Sequence, residues 1–315
     1  MLTLPKPYAD ELLYSILVRY YIRSGYRKVK EAQVKLFDTL PQQPWDILLP
    51  SNLKRLTRKL WTKANYTPDY FIQGHTLYPF YAQFLIPVET ELLRQVMVQQ
   101  GRASIPTIAK IPLNVEKAYH SYLKFCPQCF EQESEGLGEA YWHRTHQIPG
   151  IVLCPDHEVP LLNSTVCLNS KALHYIAADS DTCPISNNVP SYTDLTKHRM
   201  TAYTESLERL LNRQIPFRGL AWLRKRYHHY AAQKGFLKFD TATNFTFDET
   251  KFFEELCDFY GEEFLDNILP VSFQASKQQF IQCLLACDLE QTIDRVRHIL
   301  LINFLSDSLQ DFFAY

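Results

Sequence analysis

Two short knuckles, Cys126-Pro-Gln-Cys129 and Cys154-Pro-Asp-His157, stand 24 residues apart, each with the same two-residue gap and the same proline after its first donor. A tetrahedral zinc ion takes thiolate sulfur at about 2.3 Å and imidazole nitrogen at about 2.0 Å, and a two-residue gap on a tight turn lets both side chains reach one ion. The pair therefore predicts a zinc ribbon held by Cys126, Cys129, Cys154 and His157. A rival set, Cys126, Cys129, His143 and His146, imitates a Cys-Cys-His-His finger. However, "AYWHRTHQI" has strand-like composition. Its period of two would send His143 and His146 to opposite faces and put Trp142, Arg144 and His146 on one. His146 is then expected to pack beside the site or to orient a ligand. Four protein donors close the shell, so one structural zinc is expected, whose binding free energy becomes folding free energy. A redox reading of Cys-Pro-x-Cys would need a strand before the pair, a helix after it and a βαβ setting. The acidic "EQESEGLG" that follows, with no parallel-sheet pattern nearby, argues against it.

A chain of 315 residues exceeds one ordinary core and predicts two or three packed units. The longest apolar run, Ile299 to Leu305, is interrupted by Asn303 and is too short to span a bilayer, and no charged-then-apolar leader follows Met1. The reading is a cytoplasmic protein with no membrane partner. In that reducing compartment Cys167, Cys183, Cys257, Cys283 and Cys287 read as buried thiols, having no convincing partner in the sequence.

Helical periodicity dominates, so the fold class is mainly α. A helical, helix-turn-helix-like N-terminal unit is expected over 1–120, the small ribbon with short β-strands over 121–165, a polar connector over 166–194 and a helical, helix-turn-helix-like unit over 195–315. The first helix should start at Asp10 as N-cap, bury Leu13, Leu17, Tyr20 and Tyr21, and stop at Gly25. In "SNLKRLTRKLWTKAN", Ser51 can cap, Leu53, Leu56, Leu60 and Ala64 share a face, and Lys54, Arg55, Arg58, Lys59 and Lys63 make the remainder cationic. Three prolines between Thr67 and Pro87 predict short helices and turns, and His75 there reads as a core or surface histidine.

The formal charge of −1 excludes a globally basic nucleic-acid binder but conceals two blocks. From Arg209 to Phe239 stand Arg209, Arg213, Arg218, Arg224, Lys225, Arg226, Lys234 and Lys238 with no acid, whereas Asp240 to Asp266 holds nine acids against Lys251. In "RGLAWLRKRYHHYAAQKG", Leu220, Leu223, Tyr227, Tyr230 and Ala231 share one helical face and Lys225, Arg226, His229 and Gln233 another. Two readings fit. The cations Arg218, Arg224, Lys225, Arg226 and His229 could meet DNA phosphates, or the acidic helix "ETKFFEELCDFYGEEFLDN" could cover them. No Gly-rich phosphate loop, nucleophile elbow or paired-carboxylate constellation emerges, which favours a binding protein over an enzyme.

The opening "LPKPYADELLYSILVRYYIRSG", the "HTLYPFY" segment and "FCPQCF...YWHRTHQIPGIVLCPDHEVPLL" resemble the TniQ/TnsD family of transposon target selectors over about residues 1 to 165. "FRGLAWLRKRYHHYAAQKGF" and "FYGEEFLDNI" look like the downstream half of longer TnsD-type members, and Cys126, Cys129, Cys154 and His157 match the family's zinc-ribbon ligands. The resemblance implies a non-catalytic adaptor, bacterial and acting at the nucleoid. Such an adaptor marks an insertion site by binding DNA or by joining an RNA-guided CRISPR effector with its guide RNA. It also recruits the AAA+ ATPase TnsC alongside other transposition proteins. The N-terminal unit, through the helix around Leu12 to Arg23 or through Lys54, Arg55 and Arg58, is the expected ATPase contact. The ribbon is expected to hold the two helical units in a set relation. The competing function is a zinc-containing, sequence-specific transcriptional regulator built on the same helices.

Overall fold

The first helix, α1 (Leu13–Ser24), buries Leu13, Leu17 and Tyr20 and ends on Gly25 in the left-handed conformation (φ 70°), as its sequence predicts, with Tyr14 and Ile16 also buried but Tyr21 only half-buried at the edge of the core. Its start departs from the expectation. Asp10 does not cap α1, which begins after Leu12 with no side-chain cap. The Asp10 carboxylate instead accepts from Thr145 N at 2.9 Å and from Arg144 Nε at 3.1 Å. The computed structural model describes residues 2–38, 47–60, 66–99, 104–112, 119, 121–168, 175–185, 190–212, 218–241, 244–306 and 309–313.

Six further helices follow among the described residues of the N-terminal part: α2 (Val29–Phe37), α3 (Leu53–Lys59), α4 (Pro68–His75), α5 (Tyr78–Ala82), α6 (Pro87–Val98) and α7 (Ile105–Ile108). Helix α3 turns Leu53 and Leu56 inward as expected, but its N-cap is Asn52 (φ 64°), not Ser51. Lys63 and Ala64 lie outside the described residues. The proline-spaced segment does break into short helices, α4 opening on Thr67, whose hydroxyl accepts from Tyr70 N at 3.1 Å, with Pro68 in the first turn where no amide donor is missed. His75 is a core histidine, its Nδ1 2.6 Å from the carbonyl of Glu11.

The ribbon pairs β1 (Tyr122–Phe125) with β2 (Leu162–Cys167) in antiparallel register, Phe125 opposite Leu162 and Tyr122 opposite Cys167. Between them run α8 (Pro127–Leu137) and a 3-10 turn, Thr145–Gln147. Strand β2 thus continues into the expected connector, and Thr165 N donates to Thr182 O at 2.9 Å. The expected strand at "AYWHRTHQI" is a correction. Around His143 there is a lone bridge to Glu11, then the 3-10 turn, because the Asp10 carboxylate takes the Thr145 amide and the Gln147 side chain bonds both the amide and the carbonyl of Lys124.

The remaining chain is again helical: α9 (Asp194–Asn212), α10 (Leu220–Gln233), α11 (Glu249–Tyr260), α12 (Glu262–Ile268), α13 (Phe273–Ala286), a 3-10 turn at Cys287–Leu289, α14 (Arg295–Leu305) and α15 (Leu309–Phe313). A small antiparallel hairpin, β3 (Leu237–Phe239) with β4 (Phe245–Phe247), follows α10. The fold is mainly helical, with short antiparallel strand pairs. Helix α14 is buried on every side and sits at the centre of the C-terminal helices.

One apolar core runs from Leu2 through Phe84, Trp142 and Tyr203 to Phe313, across the boundaries drawn at 120 and 195. The ribbon therefore does not alone join the two helical parts. Arg295 of α14, 3% exposed, donates from Nη2 to Tyr81 O at 2.9 Å and to Ala109 O at 2.7 Å, and Ile293 N donates to Lys110 O at 2.8 Å. A buried guanidinium costs free energy unless its donors are paired, and here backbone carbonyls hold both terminal nitrogens, so the clasp ties α14 to the N-terminal helices.

Candidate metal centre

The strand-to-helix step at Phe125–Pro127 and the tight turn at Cys154–His157 present the two knuckles to each other. Cys126 is the N-cap of α8, and Cys129 N points at its sulfur at 3.5 Å. In the second knuckle Glu158 N donates to Cys154 O at 2.9 Å, and Cys154 N to Val159 O at 2.8 Å. His157 Nδ1 lies 3.6 Å from Cys126 Sγ, 3.3 Å from Cys129 Sγ and 3.6 Å from Cys154 Sγ, while Cys129 and Cys154 sulfurs are 3.7 Å apart. A tetrahedron with the usual zinc bond lengths has sulfur–sulfur edges of about 3.8 Å and sulfur–nitrogen edges of about 3.5 Å. The donors thus occupy the corners such an ion requires. Cys126, Cys129 and Cys154 are buried against Val159 and Leu161 in a small cluster of their own. Hydrogen bonds from Cys129 and Cys154 pull the Cys126 thiol down from the ordinary range, and the bonds of Cys129 to Cys126 and Cys154 push Cys129 up. Cys126 heads α8, where the helix dipole supports the negative charge of a thiolate ligand. The donor set fits zinc.

The neighbouring histidines do not join this set. As the chain bends from the bridge at His143 into the 3-10 turn, His143 and His146 come to one side with ring centroids 4.5 Å apart, not to opposite faces of a strand. His143 Nε2 pairs with Glu133 and its Nδ1 is 3.8 Å from Asp10. Burial opposes charge on His143, but the hydrogen-bonded Glu133 carboxylate raises its pKa above the ordinary value. His146 is 2% exposed, and burial holds its pKa well below the ordinary value. Cys129, Glu133 and His143 also converge within 4.8 Å, but Cys129 is shared with the four-donor set.

A network that sequence reasoning missed joins α1 to the ribbon. Buried Arg19 donates to Glu11 Oε2 at 2.8 Å and to Glu139 Oε1 at 2.8 Å, and the Tyr8 hydroxyl donates to Glu139 at 2.9 Å. Arg144 adds a donor pair to Gln73 O at 2.6 Å and Asn212 Oδ1 at 3.2 Å. The partners lie up to 131 positions apart in sequence, so spacing carried no signal. The hint was a lone arginine inside the apolar series Val18–Arg19–Tyr20.

The TniQ protein-family model matches residues 2–161, half of the chain, and that span holds α1, the Arg19 network and all four metal donors. This chain belongs to the TniQ family. A TniQ relative, the transposon Tn7 transposition protein TnsD of Escherichia coli, is 26% identical over 157 residues, covering 50% of this chain and 30% of that protein. The TniQ match stops before the C-terminal helices.

Those helices carry the cations that the sequence singled out, and the structure sorts them. Lys225, His229 and Arg218 are exposed, and Lys225 and His229 line a shallow groove with His228, Gln233 and Phe239. Arg224 instead meets Asp288 at 3.2 Å, and Arg226 donates to the carbonyls of Phe312 at 3.0 Å and Asp311 at 3.1 Å. Arg226 is therefore an anchor for α15. Among the described residues, the acid paired with a cation of α10 is Asp288, not a carboxylate of acidic helix α11. Arg213 lies outside the described residues. Nearer the N-terminus of this TniQ-family chain, Lys54, Arg55 and Arg58 are all exposed on α3, whereas Lys59 is held by Asp38 and by Lys35 O. Among the described residues, no helix is long and apolar enough to cross a membrane.

Proposed function

We propose that this TniQ-family protein is a non-catalytic target-site selector for DNA transposition. It joins target DNA, or an RNA-guided CRISPR effector bound there, to the AAA+ ATPase TnsC. The observation that carries the reading is the family match over 2–161, supported by similarity to a transposition protein. Zinc, bound by Cys126, Cys129, Cys154 and His157, would be structural. Three sulfurs and one nitrogen close the tetrahedron and leave no corner for a reacting ligand. The ribbon then orders the segment that Asp10, Arg19 and Arg144 tie to α1, α4 and α9.

Within this reading Lys54, Arg55 and Arg58 face the ATPase. Because these side chains are exposed, reversing Arg55 and Arg58 to Glu should leave the fold and metal content unchanged while co-purification with TnsC falls at least tenfold. If TnsC is retained by that variant but released on removal of 195–315, the ATPase-binding surface belongs to the C-terminal helices.

Arg218, Lys225 and His229 face DNA phosphates, the unit 195–315 serving as the DNA-side element. Each phosphate that the protein no longer neutralises takes about 0.9 off the slope of log affinity against log salt. Arg218→Ala with Lys225→Ala should therefore flatten that slope by about two units without altering sequence preference, as expected of side chains that position the protein and do not read bases. Arg226 is excluded from this test because its loss would also free α15. An unchanged slope would place the DNA elsewhere.

A further inference from the structure

Cys283 of α13, Glu290 beyond the following 3-10 turn and His298 of α14 bring one sulfur, one carboxylate oxygen and one imidazole nitrogen within 4.8 Å of one another. None of the three belongs to the ribbon. All are enclosed: His298 is 0% exposed, Cys283 4%, and the Glu290 side chain 7%. We propose that these three residues form a second divalent-metal site, of the zinc class, with a solvent oxygen as fourth ligand.

Geometry supports the assignment first. His298 Nε2 and Glu290 Oε2 are 3.2 Å apart, against about 3.3 Å for the nitrogen–oxygen edge of a zinc tetrahedron. The far side of the imidazole is held as metal-bound histidines usually are. His298 Nδ1 is 2.9 Å from the Tyr227 hydroxyl, and that hydroxyl also donates to the carbonyl of His298 at 3.3 Å. With the hydroxyl proton on the carbonyl, the Tyr227 oxygen accepts the Nδ1 proton, and the Nε2 lone pair faces the carboxylate and the thiol. In the other tautomer Nε2–H donates to Glu290 and Nδ1 accepts from Tyr227, so the metal site and a metal-free relay differ in which ring nitrogen carries the proton. The ring plane is fixed by Tyr227, parallel to it within 3° at 5.9 Å, and by Phe84 at 5.8 Å.

Charge balance comes second. A doubly charged ion with one thiolate, one carboxylate and a neutral imidazole sums to zero, which a buried site needs. Cysteine binds such an ion as its thiolate, so binding would release the Cys283 proton. Cys287, one turn further on, points its sulfur at Leu220 O at 3.5 Å and stays outside the set. The ion would staple α13, the 287–294 segment and α14, and through Tyr227 it would steady α10 beneath its cationic face. This inference does not depend on the target-selector reading.

The test is a metal count on the full-length protein together with zinc X-ray absorption. Two ions per chain are expected, with a mean of about two sulfurs per zinc, since three-sulfur and one-sulfur sites average to that value. Cys283→Ser and His298→Gln should each bring the count to one and the mean back to about three. One ion per chain with three sulfurs overturns the proposal and leaves a metal-free Tyr227–His298–Glu290 hydrogen-bond relay. So does a second ion that both variants retain. If either variant fails to fold, the wild-type count and sulfur number still decide.

Discussion

Cys154→Ser is expected to purify without stoichiometric zinc and with residues 122–167 open to protease, whereas His146→Ala should keep its ion. Serine at neutral pH offers a hydroxyl in place of a thiolate, and zinc sites of this kind depend on deprotonated donors. Apparent binding free energies of structural zinc in small peptide fingers are about 10–16 kcal/mol, so losing one sulfur of three removes more than the ribbon's two short strands can replace. Those strands are four and six residues long, and although Leu123, Phe125 and Val166 reach the main core, the three sulfurs form a cluster separate from it, so the two knuckles depend on the ion. His146 differs although it is as buried: its ring stacks beside His143, and its removal leaves a cavity without removing a donor. Metal analysis and limited proteolysis on the two variants check the assignment. Zinc retained by Cys154→Ser, or lost from His146→Ala, would point to a different ligand set.

The convergence of the four donors was legible because both halves of the site are local: a two-residue gap fixes each knuckle, and composition marks the residues that could hold a metal. The helices were legible for the same reason, since the apolar faces of α1, α3 and α10 recur with the helical period. What the sequence hid depends on long-range partners. Asp10 looks like a helix cap until Thr145 and Arg144, about 135 positions away, compete for its carboxylate. "AYWHRTHQI" looks like a strand until that carboxylate and the Gln147 side chain absorb the backbone donors and acceptors a sheet would use. Arg226 looks like a surface cation because the acceptors that hold it, the carbonyls of 311 and 312, belong to the far end of the chain. Cys283 lacked a visible partner because Glu290 and His298 lie seven and fifteen residues on and converge only when α13 folds back along α14.

Gly150→Ala should cost about 2–5 kcal/mol of stability, a loss larger than its small change in volume suggests. Ile148-Pro149-Gly150-Ile151 closes a turn in which Ile151 N donates to Ile148 O at 3.1 Å, with proline second and a glycine at φ 78° third. That is the arrangement of a type II turn, whose third position favours a residue without Cβ. A side chain there costs about 1–2 kcal/mol in backbone strain alone. Space adds to it, because a Cβ on Gly150 would lie 2.9 Å from the Tyr203 hydroxyl and 2.9 Å from Val296 Cγ2. Tyr203 is on α9 and Val296 on α14, both in the packed core, where forced overpacking typically costs about 1–3 kcal/mol. Gly138→Ala supplies the comparison: its φ is 76°, but nothing lies within 4 Å of the added atom, so strain acts alone. Denaturant unfolding should therefore rank Gly150→Ala well below Gly138→Ala while both keep the ribbon's metal. That ranking would mean that the ribbon is seated against the C-terminal helices by direct packing at Gly150, so metal-dependent order in 122–167 reaches α9 and α14 without passing through the N-terminal helices. Equal destabilisation at the two glycines would remove that packing from the account and leave the shared apolar core, the Arg144–Asn212 contact and the Arg295 clasp as the links between the parts.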